Sequence, residues 1–167
     1  RMIRREFGFN QTTESMLNLA TNALEEIITN DETTTSIVLG FGEMGTKAVE
    51  VLLDLGQTDI TVISRSPEQA EMRNPEIAAK VNLMTFEQWQ SENLTPSLII
   101  STIRNNQATY NASNPIPSTS DAIIMDFSWP PSIDVSGING NQELFGTEHW
   151  IRAAHRLGVE WDYPSTI

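Results

Sequence analysis

The stretch Ser36-Ile37-Val38-Leu39-Gly40-Phe41-Gly42-Glu43-Met44-Gly45 carries the architecture of this chain. Ser36 to Leu39 is a short apolar run of the kind that forms a buried parallel strand. Glycines at 40, 42 and 45 then follow in the spacing G-x-G-x-x-G. After them Ala48, Val49, Leu52 and Leu53 or Leu55 recur at helical intervals, up to a Gly56 suited to the C′ position of a helix. Strand, glycine loop and helix, in that order, is the context in which this motif holds the pyrophosphate of a dinucleotide. Gly40 permits the tight turn, Gly42 lets the backbone approach the pyrophosphate, and Gly45 lets helix and strand pack closely. The helix amino terminus adds free N–H groups and a partial positive charge. A turn that is glycine-rich without binding anything is the plain alternative.

Downstream, Asp59 to Ile63 is a β-branched strand, followed by Ser66-Pro67 as N-cap and first residue of a helix that restarts at Pro75. Val81 to Met84 is a short strand, and Thr85-Phe86-Glu87-Gln88 matches a capping box. Leu98 to Thr102 and Ala122 to Phe127 are two further apolar strands, separated by a long polar loop from Arg104 to Ser120. Gly137 to Gly146 has no clear pattern, and Thr147 opens a last helix with Trp150, Ala153, Ala154 and Leu157 on one face. At the other end Met16, Ala20, Ala23, Leu24, Ile27 and Ile28 mark a leading helix. Strands alternating with helices predict an α/β, Rossmann-like, doubly wound sheet, mostly parallel, with helices on both faces.

The end of the second strand selects the dinucleotide. An Asp or Glu there bonds the ribose 2′-hydroxyl of NAD. This chain has Ser64-Arg65-Ser66 instead, with no carboxylate to repel a 2′-phosphate, and Arg65 can pair with that phosphate bidentately. The expected cofactor is therefore NADPH, the alternative for Arg65 being a solvated surface arginine. Ser101, Thr102 and Ile103 leave a central strand at the same edge. They either touch the nicotinamide half or simply end the strand. Asp126 either faces the same crevice or caps the next turn.

Composition closes other routes. With 10 Lys and Arg against 22 Asp and Glu, the net charge is −12, which disfavours phosphate-driven nucleic-acid binding by this segment. There is no cysteine, so no disulfide, thiolate metal site or cysteine nucleophile. His149 and His155 are six residues apart, off the spacing of a helical metal pair, and no metal ligand is assigned. No apolar run reaches the roughly 20 residues of a membrane helix. The first residue is Arg1, consistent with a piece of a longer protein.

These residues together resemble glutamyl-tRNA reductase. The similarity lies in the Gly40 to Gly45 loop with its Glu-Met-Gly ending, in Ser64-Arg65-Ser66, in Ile99-Ile100-Ser101-Thr102, and in the segment Met125-Asp126-Phe127-Ser128-Trp129-Pro130-Pro131-Ser132-Ile133-Asp134. The lead-in from Ile3 to Ser15 is similar too. The resemblance implies a lead-in helix over residues 1–30, linking from a catalytic domain elsewhere, and an NADP-binding domain over 31–167. It implies no catalytic residue here, because that family's nucleophile is a cysteine. The full enzyme would be a cytoplasmic homodimer. Using NADPH, it would reduce glutamyl-tRNA, held by the catalytic domain, to glutamate-1-semialdehyde for tetrapyrrole synthesis. Residues 137–167 match poorly and take no assigned role. Two other readings stay open: the cofactor domain of another NADP-dependent enzyme similar to shikimate dehydrogenase, and a non-catalytic nucleotide-binding module.

Overall fold

A computed structural model describes residues 35–92, 94–103, 109–118, 121–128, 131–139, 141–146, 149, 150 and 152, together with Asn18, Thr21, Asn22 and Glu25, which are helical. The apolar face expected for that leading helix, most of the last helix, and Trp129 and His155 lie outside the described residues. The elements are β1 (Ser36–Leu39), α1 (Glu43–Asp54), β2 (Ile60–Ile63), α2 (Pro67–Arg73), α3 (Pro75–Ala78), β3 (Asn82–Met84), α4 (Phe86–Ser91), β4 (Leu98–Ser101), β5 (Ile123–Asp126), a 3₁₀ turn at Val135–Gly137, and β6 (Glu143–Phe145).

The six strands form one sheet in the order β3-β2-β1-β4-β5-β6, every neighbouring pair parallel. The chain winds outward from β1 through β2 to β3, then returns to β1's other side with β4. That reversal makes the space beyond the carboxyl ends of β1 and β4 the natural crevice of the fold. The register brings the strand ends into one line, since Met84, Ile63, Leu39, Ser101 and Asp126 are successive partners across the sheet. The segments that follow β1, β2 and β4 therefore emerge side by side.

Strand residues alternate between two cores, as the period of two requires. Val38, Val62, Leu98 and Ile100 face a core closed by Ala48, Val49 and Leu52 of α1, by Ala70 of α2 and by Trp150. Ile37, Leu39, Ile63, Ile99 and Ile124 face a second core closed by Trp89 of α4 and by Tyr110, Ile116 and Ile133. Helices thus cover both faces. On the second face, irregular chain between β4 and β5 shares that work with α4. Its place is held by a parallel bridge between Tyr110 and Ile133.

Local signals explain the element ends. In α1, Gly56 (φ 84°) takes the C′ position, its N–H bonding the Leu53 carbonyl while Gln57 bonds Leu52, both at 3.0 Å, as in a Schellman cap. At α4 the Thr85 hydroxyl accepts from the Gln88 N–H (3.0 Å), and Gln88 returns a bond to the Thr85 N–H (2.8 Å). Ser66 occupies the N-cap of α2, but its side chain makes no capping bond. The order of the Gly137 to Gly146 stretch differs from expectation. It contains β6, pairing with Ile123 to Met125, and no apolar run marks it because Glu143 points to solvent at the sheet edge. No described helix is long and apolar enough to cross a membrane.

Candidate functional site

The glycine loop sits at the carboxyl end of β1, and three observations account for its glycines. Gly40 has φ 93°, a left-handed conformation that a side chain disfavours, and a Cβ there would lie 2.9 Å from the Thr102 hydroxyl. A Cβ on Gly45 would lie 2.2 Å from the Gly40 carbonyl oxygen, so α1 starts in direct contact with the turn. A Cβ on Gly42 would meet nothing within 4 Å. That Gly42 space is what an anion approaching the backbone needs. Gly42 is the N-cap of α1 and no side chain caps this helix, which leaves its first N–H groups directed to the loop.

Around this loop is a cleft of about 440 Å³ lined by Gly40, Phe41, Gly42, Glu43, Met44 and Gly45, by Ser64 and Arg65 after β2, by Ala70 and Arg73 of α2, by Phe86, and by Thr102 and Ile103 after β4. A second hollow of about 370 Å³ shares Arg65, Phe86 and Ile103 with it and is closed by Glu87, Gln90, Thr109, Tyr110, Asn114 and Pro117. The two hollows lie side by side along that shared wall and together make up the candidate groove, each of a size that small ligands occupy. Burial pushes the Tyr110 phenol above its ordinary range, so it stays un-ionised at neutral pH.

Most of the candidate residues thus converge. Ser66 is half-buried beside the groove, its N–H bonding the Ser64 hydroxyl at 3.2 Å. Thr102 lines the cleft, and its hydroxyl donates to the Leu39 carbonyl at 2.8 Å, bracing the loop. Ser101 and Asp126 are placed elsewhere. Ser101 is wholly buried and hydrogen-bonds the Ser132 hydroxyl at 2.6 Å. Asp126, 2% exposed, accepts from Ser128 N–H (3.0 Å), Ser132 N–H (2.9 Å), the Ser132 hydroxyl (2.9 Å) and Ile133 N–H (3.1 Å). Of the two roles open to Asp126, the geometry selects capping of the following turn. Burial raises its pKa, and the hydrogen bonds oppose that rise. Since the Ser132 proton points at Asp126, Ser101 is the donor in the serine pair. His149 packs between the rings of Phe145 and Trp150. No cluster of three or more His, Cys, Asp or Glu that could hold a metal occurs among the described residues.

Sequence reasoning passed over Arg73 and Phe86. Arg73 was findable, because it lies three positions after Ala70, on the face that α2 turns to the sheet. Phe86 follows the capping threonine, and in the sequence it shows only as part of that cap. Tyr110 and Asn114 come from a loop with no periodicity, so no local signal marks them.

Comparison with known proteins bears on this groove. Residues 19–145 match the family model of shikimate / quinate 5-dehydrogenase. Among solved structures, the chain resembles the nucleotide-binding domain of glutamyl-tRNA reductase from Thermoplasma volcanium, with TM-score 0.61 and 11% identity over 83% of this chain and 93% of that one. It also resembles the dipicolinate synthase A chain from Bacillus subtilis (TM-score 0.60, 20% identity, 88% of this chain, 50% of that one). A chorismate mutase/shikimate 5-dehydrogenase fusion protein from Clostridium acetobutylicum is similar as well (TM-score 0.52, 13% identity, 86% of this chain, 56% of that one). The chain spans about half the length of the latter two. Identities this low show the shared Rossmann-like fold. No curated protein matches the chain.

Proposed function

The chain belongs to the shikimate / quinate 5-dehydrogenase family, as an NAD(P)-binding domain, and we propose that it binds NADPH as the cofactor domain of a glutamyl-tRNA reductase. The observation that carries the cofactor choice is Arg65, placed after β2 on the wall of the cleft that holds the glycine loop, with no carboxylate at that strand end. The residues present fit the dinucleotide. The open face of Gly42 and the amino end of α1 would receive the pyrophosphate. Ser64 and Arg65 would receive the 2′-phosphate, and the hollow beyond Phe86 and Ile103 leaves room for a ring system.

Bound NADPH would supply a hydride. The protein's part would be to orient the cofactor: Thr102 braces the loop that would receive the pyrophosphate, and the Asp126 network sets the segment after β5. The reductase assignment rests on the Glu43-Met44-Gly45 ending and on the segment Met125 to Asp134. Because this chain has no cysteine, the residue that forms a thioester with the glutamyl group would lie in another part of the protein, which would also hold the tRNA. The competing member of the family is a dehydrogenase acting on a shikimate-like alcohol, favoured by the name of the matching family model.

A fluorescence titration of this chain with NADPH and with NADH tests the cofactor. Preference for NADPH, lost in Arg65→Glu, supports it; preference for NADH overturns it. Oxidation of NADPH by the full-length protein with glutamyl-tRNA but not with 3-dehydroshikimate supports the reductase, and the reverse pattern assigns the dehydrogenase.

A further inference from the structure

We propose that Asp126 is a positioning residue for the groove: through Ser132 it holds Thr109 and Tyr110 in the wall of the second hollow and so sets that hollow's width for the dinucleotide. This rests on the NADPH reading above. A crossover between parallel strands is usually a helix, which satisfies its own backbone. Between β4 and β5, none of the described residues 109–118 is helical, so their N–H and C=O groups need partners from elsewhere in the chain. The segment after β5 supplies them. The Ser132 carbonyl accepts from the N–H groups of Thr109 (2.7 Å) and Tyr110 (3.0 Å). The Asp134 N–H donates to the Tyr110 carbonyl (2.8 Å), and the Ile116 N–H donates to the Gly137 carbonyl (2.9 Å). The two segments touch so closely that a Cβ on Gly137 would lie 2.6 Å from the Asn111 nitrogen.

Asp126 in turn fixes the supporting segment. Its Oδ1 accepts from the Ser128 N–H and the Ser132 hydroxyl, and its Oδ2 from the N–H groups of Ser132 and Ile133. Ser132 therefore belongs to both sets: Asp126 binds its N–H and hydroxyl, and its carbonyl binds the crossover. Asp126 lines neither hollow, whereas Thr109, Tyr110, Asn114 and Pro117 line the second one together with Glu87 and Gln90 of α4. The Tyr110 ring meets Trp89 of α4 edge-on, with centroids 5.8 Å apart. A shift of Ser132 thus moves the crossover against α4, and the hollow lies between them. Asp126→Asn sets an amide N–H2 among groups that all donate, so at least one bond to the segment is replaced by a donor–donor contact. A network that merely stabilised the fold would lower the melting temperature and leave the affinity of the folded protein alone.

Titration with NADPH and NADH at a temperature where each variant is folded, with a thermal melt and amide hydrogen exchange followed by NMR, tests this. The chains compared are wild type, Asp126→Asn, Ser132→Ala, Ser132→Thr and Leu98→Ala. Leu98 is wholly buried at the opposite end of β4 and serves as a destabilised control away from the network. Asp126→Asn is expected to weaken NADPH and NADH by a similar factor of about five to ten. It should also speed exchange of the Thr109 and Tyr110 amides more than that of the Val38 and Val62 amides. Ser132→Ala moves both readouts the same way, and Ser132→Thr, which keeps the hydroxyl, stays near wild type. Leu98→Ala melts lower with its affinities unchanged. Wild-type affinity in folded Asp126→Asn overturns the proposal, as does an affinity loss without selective exchange at Thr109 and Tyr110. A wild-type chain that binds neither dinucleotide overturns the cofactor reading, and this inference with it. If Asp126→Asn does not fold, Ser132→Ala decides by the same two readouts.

Discussion

The hydroxyl of Thr102 donates to the carbonyl of Leu39 at 2.8 Å, and the Thr102 N–H donates to the same oxygen at 2.9 Å. One residue at the end of β4 thereby ties down the last residue of β1, just where the chain turns into the glycine loop. The same hydroxyl lies only 2.9 Å from where a Cβ on Gly40 would be, so the turn and its brace are fitted to each other. Replacing Thr102 by valine keeps the volume and removes one hydrogen bond. The expected cost is about 1 kcal/mol in a urea melt, with weaker dinucleotide binding, and Thr102→Ser should restore the bond and most of the affinity. Valine binding as tightly as wild type would show that the loop needs no brace.

Gly42 and Gly45 should separate binding from folding. Gly42→Ala adds a methyl group into open space in a backbone conformation any residue adopts, so its melting temperature should match wild type. Its dinucleotide affinity should fall at least about tenfold, because the methyl group occupies the pyrophosphate's approach. Gly45→Ala drives a Cβ into the Gly40 carbonyl and should lower stability by about 1–3 kcal/mol as well as affinity. Paired melts and titrations check both; full affinity in Gly42→Ala would place the anion elsewhere.

Ser132 links a wholly buried Ser101 to Asp126. Ser132→Ala removes the shared partner and leaves the Ser101 hydroxyl without an acceptor where water does not reach. A loss of about 1–3 kcal/mol follows for such an orphaned group. Because this network anchors the chain after β5 and does not line the cleft, the NADPH/NADH ratio should stay at the wild-type value. A changed ratio would show that the segment contacts the cofactor.

Asp126 predicts a pH dependence. Its folded pKa is raised above the ordinary 3.8, so the folded state holds this proton more tightly than the unfolded state does. The resulting stabilisation is complete below the ordinary value and is lost as pH rises through the raised one. Asp126→Asn has no such proton, and its amide cannot accept all four donors, so it should be less stable throughout. The gap between wild type and variant should be widest near pH 4 and narrow toward pH 7 in urea melts at both values. A gap that widens with pH would mean that the four hydrogen bonds outweigh burial.

The parts of the fold that were legible in advance share one property, which is that their signal is local. β1, β2, β4 and β5 are apolar runs because both sheet faces are covered. The Schellman glycine at 56 and the Thr85–Gln88 box are short-range hydrogen-bond motifs. β6 escaped detection because a three-residue edge strand with an exposed Glu143 has no apolar pattern, and its order comes from pairing with β5. Arg73 and Phe86 join the cleft by the packing of α2 and α4 against the sheet, which depends on contacts far apart in the chain.

By itself the sequence determined the strand–loop–helix unit, the need for glycine at 40, 42 and 45, and the absence of a carboxylate after β2, since each is a property of adjacent residues. Tertiary structure alone decided which strand ends lie side by side. The parallel register puts Leu39 between Ile63 and Ser101, so the loop after β1 meets the arginine after β2 and the threonine after β4. It also decided between two roles that the sequence left equal for Asp126. A carboxylate at a strand end can face a crevice or turn inward, and here four donors, from Ser128, Ser132 and Ile133, hold it inside.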